Sequence, residues 1–179
     1  MKNNIKPKYR KKTRELMIRI IFQMIVTGDF SDEAKDVFLA DTSLYTEGVT
    51  DGEQTDCIFN EAKDENPDLP YLNYVFSCVK DNITEIDRIL GEASTKWIVG
   101  RMSAVDLAIL RVAVAEILYV DGIDDATSID EAVLLAKKYS SESSPSFING
   151  ILGAVSRSKK NETIIQSKEV VSDRSENGI

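Results

Sequence analysis

The chain has no histidine, two cysteines, four prolines and a single tryptophan among its 179 residues. Without histidine it lacks the side chain whose ordinary pKa suits acid–base work near neutral pH. Cys57 and Cys78 show no metal-ligand spacing and sit in no recognisable nucleophile context. They read as two ordinary thiols of a cytoplasmic chain. No glycine-rich phosphate loop is present, and the many acids are scattered as on a solvated surface. No apolar run approaches the length of a membrane span, about 18 residues or more. The basic N-terminus also lacks the compact apolar run and small-residue cleavage site of a secretory signal. The expectation is a protein that is not an enzyme, holds no metal or cofactor and has no membrane segment.

What is present is a hydrophobic fraction of 42%, enough for a sizeable core in one domain. The charges are segregated. Residues 1 to 28 hold eight Lys and Arg against one acid, Glu15, a balance of +7. Residues 29 to 70 hold thirteen acids against Lys35 and Lys63, a balance of −11. The overall −8 would argue against a nucleic-acid partner, whereas the distribution argues for one at the N-terminus.

Hydrophobic spacing predicts helices and no strands. Met17, Ile20, Ile21 and Met24 recur at i, i+3, i+4 and i+7, so Arg10–Thr27 reads as a helix stopped by Gly28. Phe30–Asn66 is acidic and irregular, with short helices expected around Glu33–Leu39 and Asp56–Ala62. Asp41–Gln54, with Gly48 and Gly52, reads as a loop within an insertion spanning about 41–66. Pro70 suits the first turn of a helix over Tyr71–Lys80, striped by Leu72, Val75, Phe76 and Val79. Ile83, Ile86, Ile89 and Leu90 continue the pattern, with Trp97 expected as an anchor. Ser103–Val120 is apolar on nearly every side, the mark of a central buried helix. Arg111 and Glu116 are the only charges in its Leu107–Val120 run, so each must find a partner or reach the surface. Ser128 and Glu131 suggest a capping box for the next helix. Ser144-Pro145 opens a last helix, in which Gly150 suggests close helix packing. From Ser158 onward the chain is polar and aperiodic. The expected fold is all-α, one domain of about seven helices over 8–157, with a disordered tail over 158–179.

On a helix, Arg10, Lys11 and Arg14 fall within roughly 100° of arc, with Lys12 beside them. Such a cluster suits phosphates, because neutralising them releases condensed counterions. A solvated basic terminus is the equal alternative on composition alone. Phe22 continues the line of Arg14 and Ile18; it could stack on an unpaired base or pack against a second helix. Asp106, three residues after Ser103, fits a capped helix start whose dipole favours an acid.

The stretch Arg101–Ala154 carries a more specific signal. Arg101, Ser103, Val105, Asp106 and Ala108–Arg111 are followed by Ile129, Glu131–Val133 and Leu135–Lys137, then by Phe147, Asn149 and Gly150. In that order these residues resemble the NusB family of bacterial transcription antitermination factors, and Arg10–Met24 resembles the family's basic first helix. The resemblance implies a small helical adaptor that binds a boxA-like single-stranded element of nascent ribosomal RNA. It implies joint binding with the small-subunit ribosomal protein NusE, within the RNA polymerase antitermination complex. It also implies that the turn holding Ser143 and Phe147 lies beside the basic helix and shares the RNA site. Phe22, where the family usually has Tyr, and Asp106 then lie near the RNA or partner surface. Both a monomer and a homodimer are compatible with this reading. The chain departs from the family at Leu107, where Arg or Lys is common, at Asp124 for Pro and at Asp130 for Asn. A similar helical domain opens certain ribosomal RNA cytosine methyltransferases, whose long downstream cofactor domain has no counterpart in this sequence. A protein-interaction scaffold working through the acidic Asp29–Asp68 region is the remaining alternative.

Overall fold

The structure, a computed structural model, describes residues 7–47, 67–94 and 99–176, with side chains over 10–41, 67–94 and 99–161. Among the described residues there are seven α-helices and no strand. They are α1 (Pro7–Thr27), α2 (Asp32–Glu47), α3 (Leu69–Asp81), α4 (Ile83–Ala93), α5 (Ala104–Tyr119), α6 (Asp125–Tyr139) and α7 (Ser144–Glu176), with a 3-10 turn at Val99–Arg101 before α5. Helix α5 is the axis: α1, α3, α4, α6 and α7 all pack against it. Every residue from Asp106 to Ile117 is buried, as its all-round apolar pattern demands.

Local chemistry marks the helix ends. Ser103 Oγ accepts the backbone N–H of Asp106 at 3.1 Å and caps α5. Asp68 does the same for α3 by accepting from the Tyr71 N–H at 3.1 Å, with Pro70 in the first turn. Gly28 ends α1 with a φ of +74°, a left-handed conformation that favours glycine. The apolar stripes of α1 and α3 bury Met17, Ile20, Ile21 and Met24 against Leu72, Val75, Phe76 and Val79 in one core. The two charges of α5 are both paired. Arg111 makes a two-pronged contact with Asp87 of α4, at 2.9 and 2.8 Å. Glu116 lies in the network described below.

Several expectations are corrected. Helix α2 runs to Glu47, so residues 41–47 are helical and not loop; the first glycine that could stop it is Gly48. The rest of the expected loop, the Asp56–Ala62 helix, Cys57 and Trp97 lie outside the described residues. Helix α6 begins at Asp125 after Asp124, so Ser128 is internal to it and makes no capping box. A β-carbon added at Gly150 would meet nothing within 4 Å, so close packing does not explain that glycine. Helix α7 continues to Glu176. Neither glycine nor proline interrupts the sequence between Gly153 and Gly178, so helix propensity carries on after the apolar face stops.

Candidate nucleic-acid interface

Helix α1 decides what the basic N-terminus can do. Successive residues turn by roughly 100°, so Lys11, Glu15, Arg19 and Phe22 share about 80° of one face. The buried Met17, Ile20 and Met24 lie opposite. Arg10 and Arg14 fall between the two faces, where neighbouring helices decide their fate.

Arg14 turns inward, contrary to the expectation of an exposed cation. It is 5% exposed, and its Nε donates to Glu116 Oε1 at 2.6 Å. The Tyr71 hydroxyl donates to the same oxygen, and Ser128 Oγ donates to Oε2 at 2.9 Å. Four helices, α1, α3, α5 and α6, thus meet on one carboxylate. A void of only about 10 Å³ lies beside the pair, scarcely room for one water. Burial alone would lower the pKa of Arg14, but the adjacent Glu116 carboxylate prevails and holds it above the usual value. Burial first, and Glu116 second, push Tyr71 far above the usual phenol range. Arg14 is therefore a structural cation, withdrawn from any phosphate at the surface. Arg10 is half-buried with its guanidinium 5.4 Å from the centre of the Tyr71 ring. Lys11 is exposed and Lys12 half-buried.

The solvent face of α1 meets the last turn of α6. Glu15 accepts from Lys138 Nζ at 3.0 Å and from the Tyr139 hydroxyl. The Arg19 guanidinium lies 5.9 Å from the centre of the Tyr139 ring, and Lys138 Nζ lies 5.0 Å from it. The hydrogen bond with Tyr139, more than the one with Glu15, raises the Lys138 pKa and keeps that side chain cationic. Further along, Arg14 pairs with Glu116 while Ile18 lies near Ile109 and Val112, so α1 and α5 run antiparallel. Phe22 therefore lies toward the start of α5, half-buried against the core.

At that end Asp106 organises the turn between α6 and α7. It is 8% exposed, accepting from Ser140 Oγ at 2.7 Å and Ser144 Oγ at 3.1 Å. Both carboxylate oxygens are engaged inside the protein, so Asp106 holds the α6–α7 turn against the start of α5. Ser143 is exposed at the head of α7, and its carbonyl accepts from the Phe147 N–H at 3.3 Å. Phe147 is half-buried and packs against the core. Leu107 is buried in the first turn of α5.

Of the residues singled out, Lys11, Lys12 and Phe22 share the outer part of α1, and Ser143 with Phe147 forms the α6–α7 turn. Arg14 and Asp106 instead hold the framework together. Glu15, Arg19, Lys138 and Tyr139 were not foreseen. The i, i+4, i+8 series Lys11, Glu15, Arg19 and the basic-aromatic run Lys137-Lys138-Tyr139 were the available signals. Among the described residues no group of three His, Cys, Asp or Glu could hold a metal, and no helix is long and apolar enough to cross a membrane. Cys78 is a free thiol whose pKa is raised by burial, the opposite of an activated nucleophile.

Residues 11–157, which contain most of α1 and the whole α6–α7 turn, match the model of the NusB family. The chain belongs to the NusB family. A transcription antitermination protein NusB from Clostridium novyi is 32% identical over 144 residues, covering 80% of this chain and 95% of the relative. A protein of the same description from Natranaerobius thermophilus is 37% identical over 151 residues, covering 82% and 93%. Among solved structures, NusB of T. maritima superposes with a TM-score of 0.63 at 24% identity, covering 83% of this chain and 90% of that one. A chain of the complex of the antitermination factors NusB and NusE with double-stranded RNA gives 0.64 at 20% identity, covering 86% and 99%. The NusB-family fold is thus shared over nearly the full length of these relatives. The family is one of transcription antitermination factors and not of enzymes.

Proposed function

We propose that this NusB-family protein is an RNA-binding antitermination factor that engages a boxA-like single-stranded element of nascent ribosomal RNA together with NusE. It acts in the cytoplasm within the antitermination complex of RNA polymerase, with residues 8–157 as its binding domain. The observation that carries the reading is the outer face of α1, where Lys11 is exposed and Phe22 half-buried. Lys11 and Phe22 lie on one face of a helix whose other face is locked into the core. Lys11 and Lys12, with Arg10 at their margin, serve the phosphates, while Phe22, Ser143 and Phe147 form the rim that meets unpaired bases. The solved NusB–NusE–RNA complex supports both partners. Sharing one RNA between two proteins raises affinity through effective concentration.

A pull-down with RNA alone, NusE alone and both together tests this reading. The three-way complex is expected to be the most stable, and indifference to RNA would overturn it. Size-exclusion chromatography of the same samples separates a monomer from a homodimer. One observation favours a second reading, a protein-interaction scaffold without direct RNA binding. A groove of about 480 Å³ lies between α1 and α2, edged by Asp29 and Asp41 and floored by Ile20, Met24 and Phe38. Tight protein binding with no salt-dependent RNA binding would favour it.

A further inference from the structure

Glu15 is the single acid among the first 28 residues, set on the face that also carries Lys11, Arg19 and Phe22. A carboxylate there repels phosphate, so an RNA surface has an electrostatic reason to exclude it. Its side chain is 17% exposed and turned onto α6, where it accepts from Lys138 and from the Tyr139 hydroxyl. Tyr139 is the last residue of α6, and Ser140 beside it bonds to both Asp106 and Ser144. A chain of contacts therefore runs from the middle of α1 through Glu15, Tyr139, Ser140 and Ser144 to the head of α7. The Arg19 guanidinium approaches the same Tyr139 ring.

We propose that Glu15 is the positioning residue of this RNA surface, tying α1 to the last turn of α6. Glu15 fixes the spacing between the phosphate-binding cations of α1 and the Ser143–Phe147 turn. It gathers Lys138 beside the Tyr139 ring that Arg19 also approaches, so its own charge is compensated where the RNA backbone passes. The inference rests on the RNA-binding reading above and deepens it.

Simple electrostatics gives Glu15 the opposite effect. Removing an acid from a basic surface adds about one unit of positive charge. That alone would tighten binding to every RNA and steepen the slope of log affinity against log salt by about 0.7 for a single strand. If Glu15 positions the surface, Glu15→Ala loses affinity for a boxA-like RNA and discrimination against a scrambled one, each on the order of fivefold. Tyr139→Phe removes only the hydroxyl donor. It is expected to lose discrimination with an unchanged salt slope, and its ring keeps the core packed. Glu15→Gln keeps an acceptor for Tyr139 and is expected to recover most of the discrimination while the slope steepens.

The experiment titrates the full-length parent and the three variants with both RNAs at several salt concentrations, with folding checked by circular dichroism and thermal melting. Folded variants that bind both RNAs equally well or more tightly than the parent, with discrimination intact, overturn the positioning role and leave the function standing. A parent chain that binds neither RNA overturns both. Should Glu15→Ala fail to fold, Tyr139→Phe decides, since the proposal requires its discrimination to fall.

Discussion

Two polar clusters on α1, begun by adjacent residues, behave in opposite ways. Arg14 starts a buried cluster with Glu116, Tyr71 and Ser128, in which the cation is 5% exposed and the carboxylate 1%. Glu15 starts a surface cluster with Lys138, Tyr139 and Arg19, in which Lys138 keeps 55% of its side chain exposed. One residue of helical rotation, roughly 100°, separates them. The difference teaches that a charge on this helix stabilises the fold or remains open to a ligand according to which neighbour it faces. In the buried cluster neither Arg14 nor Glu116 can lose the other without cost, because a lone charge cannot be hydrated there. In the surface cluster water and salt screen the ions, so its value lies in geometry and recognition.

The largest effects come from the buried cluster. Glu116→Ala leaves Arg14 buried without its counter-charge and is expected to cost about 3–5 kcal/mol of stability in denaturant unfolding. Replacing both partners by apolar residues, Arg14→Met with Glu116→Leu, is expected to recover most of that loss, since neither charge is then stranded. A double variant as unstable as Glu116→Ala would show that the network acts through more than this pair. Next comes Asp106→Ala, which strands the Ser140 and Ser144 hydroxyls; thermal melting should register a loss of about 1–3 kcal/mol. Tyr71→Phe removes one of the three donors to Glu116 and is expected to cost about 1 kcal/mol.

The smallest stability effect and the clearest functional one belong to the outer face. Lys11→Ala with Lys12→Ala is expected to change stability by about 1 kcal/mol or less. The same pair should flatten the salt dependence of single-strand binding by a slope of about 1.4, two contacts at ~0.7 each. Arg14 must stay out of that variant. Its removal would unsettle Glu116 and mimic a loss of RNA contacts by partial unfolding.

Periodicity and cap chemistry make most of this fold readable from sequence. The all-round apolar run of α5 announced a central helix, and Arg111 and Glu116 announced that partners must exist. Gly28 stops α1, and Pro70 stands at the start of α3, where they were expected. The misreadings have a common cause. Ser128 looked like a cap because Glu131 follows at the right interval, yet its hydroxyl is bonded to a carboxylate on another helix. Asp106 stands at a helix start as expected, and spacing could not show that the serine turn takes both its oxygens. Residues 41–47 carried no apolar stripe to reveal that α2 continues through them.

Composition, spacing and order of motifs by themselves determined that this protein is helical, that α5 is its axis, that its basic residues gather on α1 and that it resembles the NusB family. Those are properties of local sequence, because a helix has a fixed period and a buried helix cannot hide its apolar faces. Only the tertiary structure decided that Arg14 belongs to the core, that Lys11 remains outside and that Glu15 reaches α6. Arg14 and its partner Glu116 stand 102 residues apart, and Glu15 and Tyr139 stand 124 apart. Helical period places a side chain around its own axis, but the docking of the helices determines which other side chain it meets.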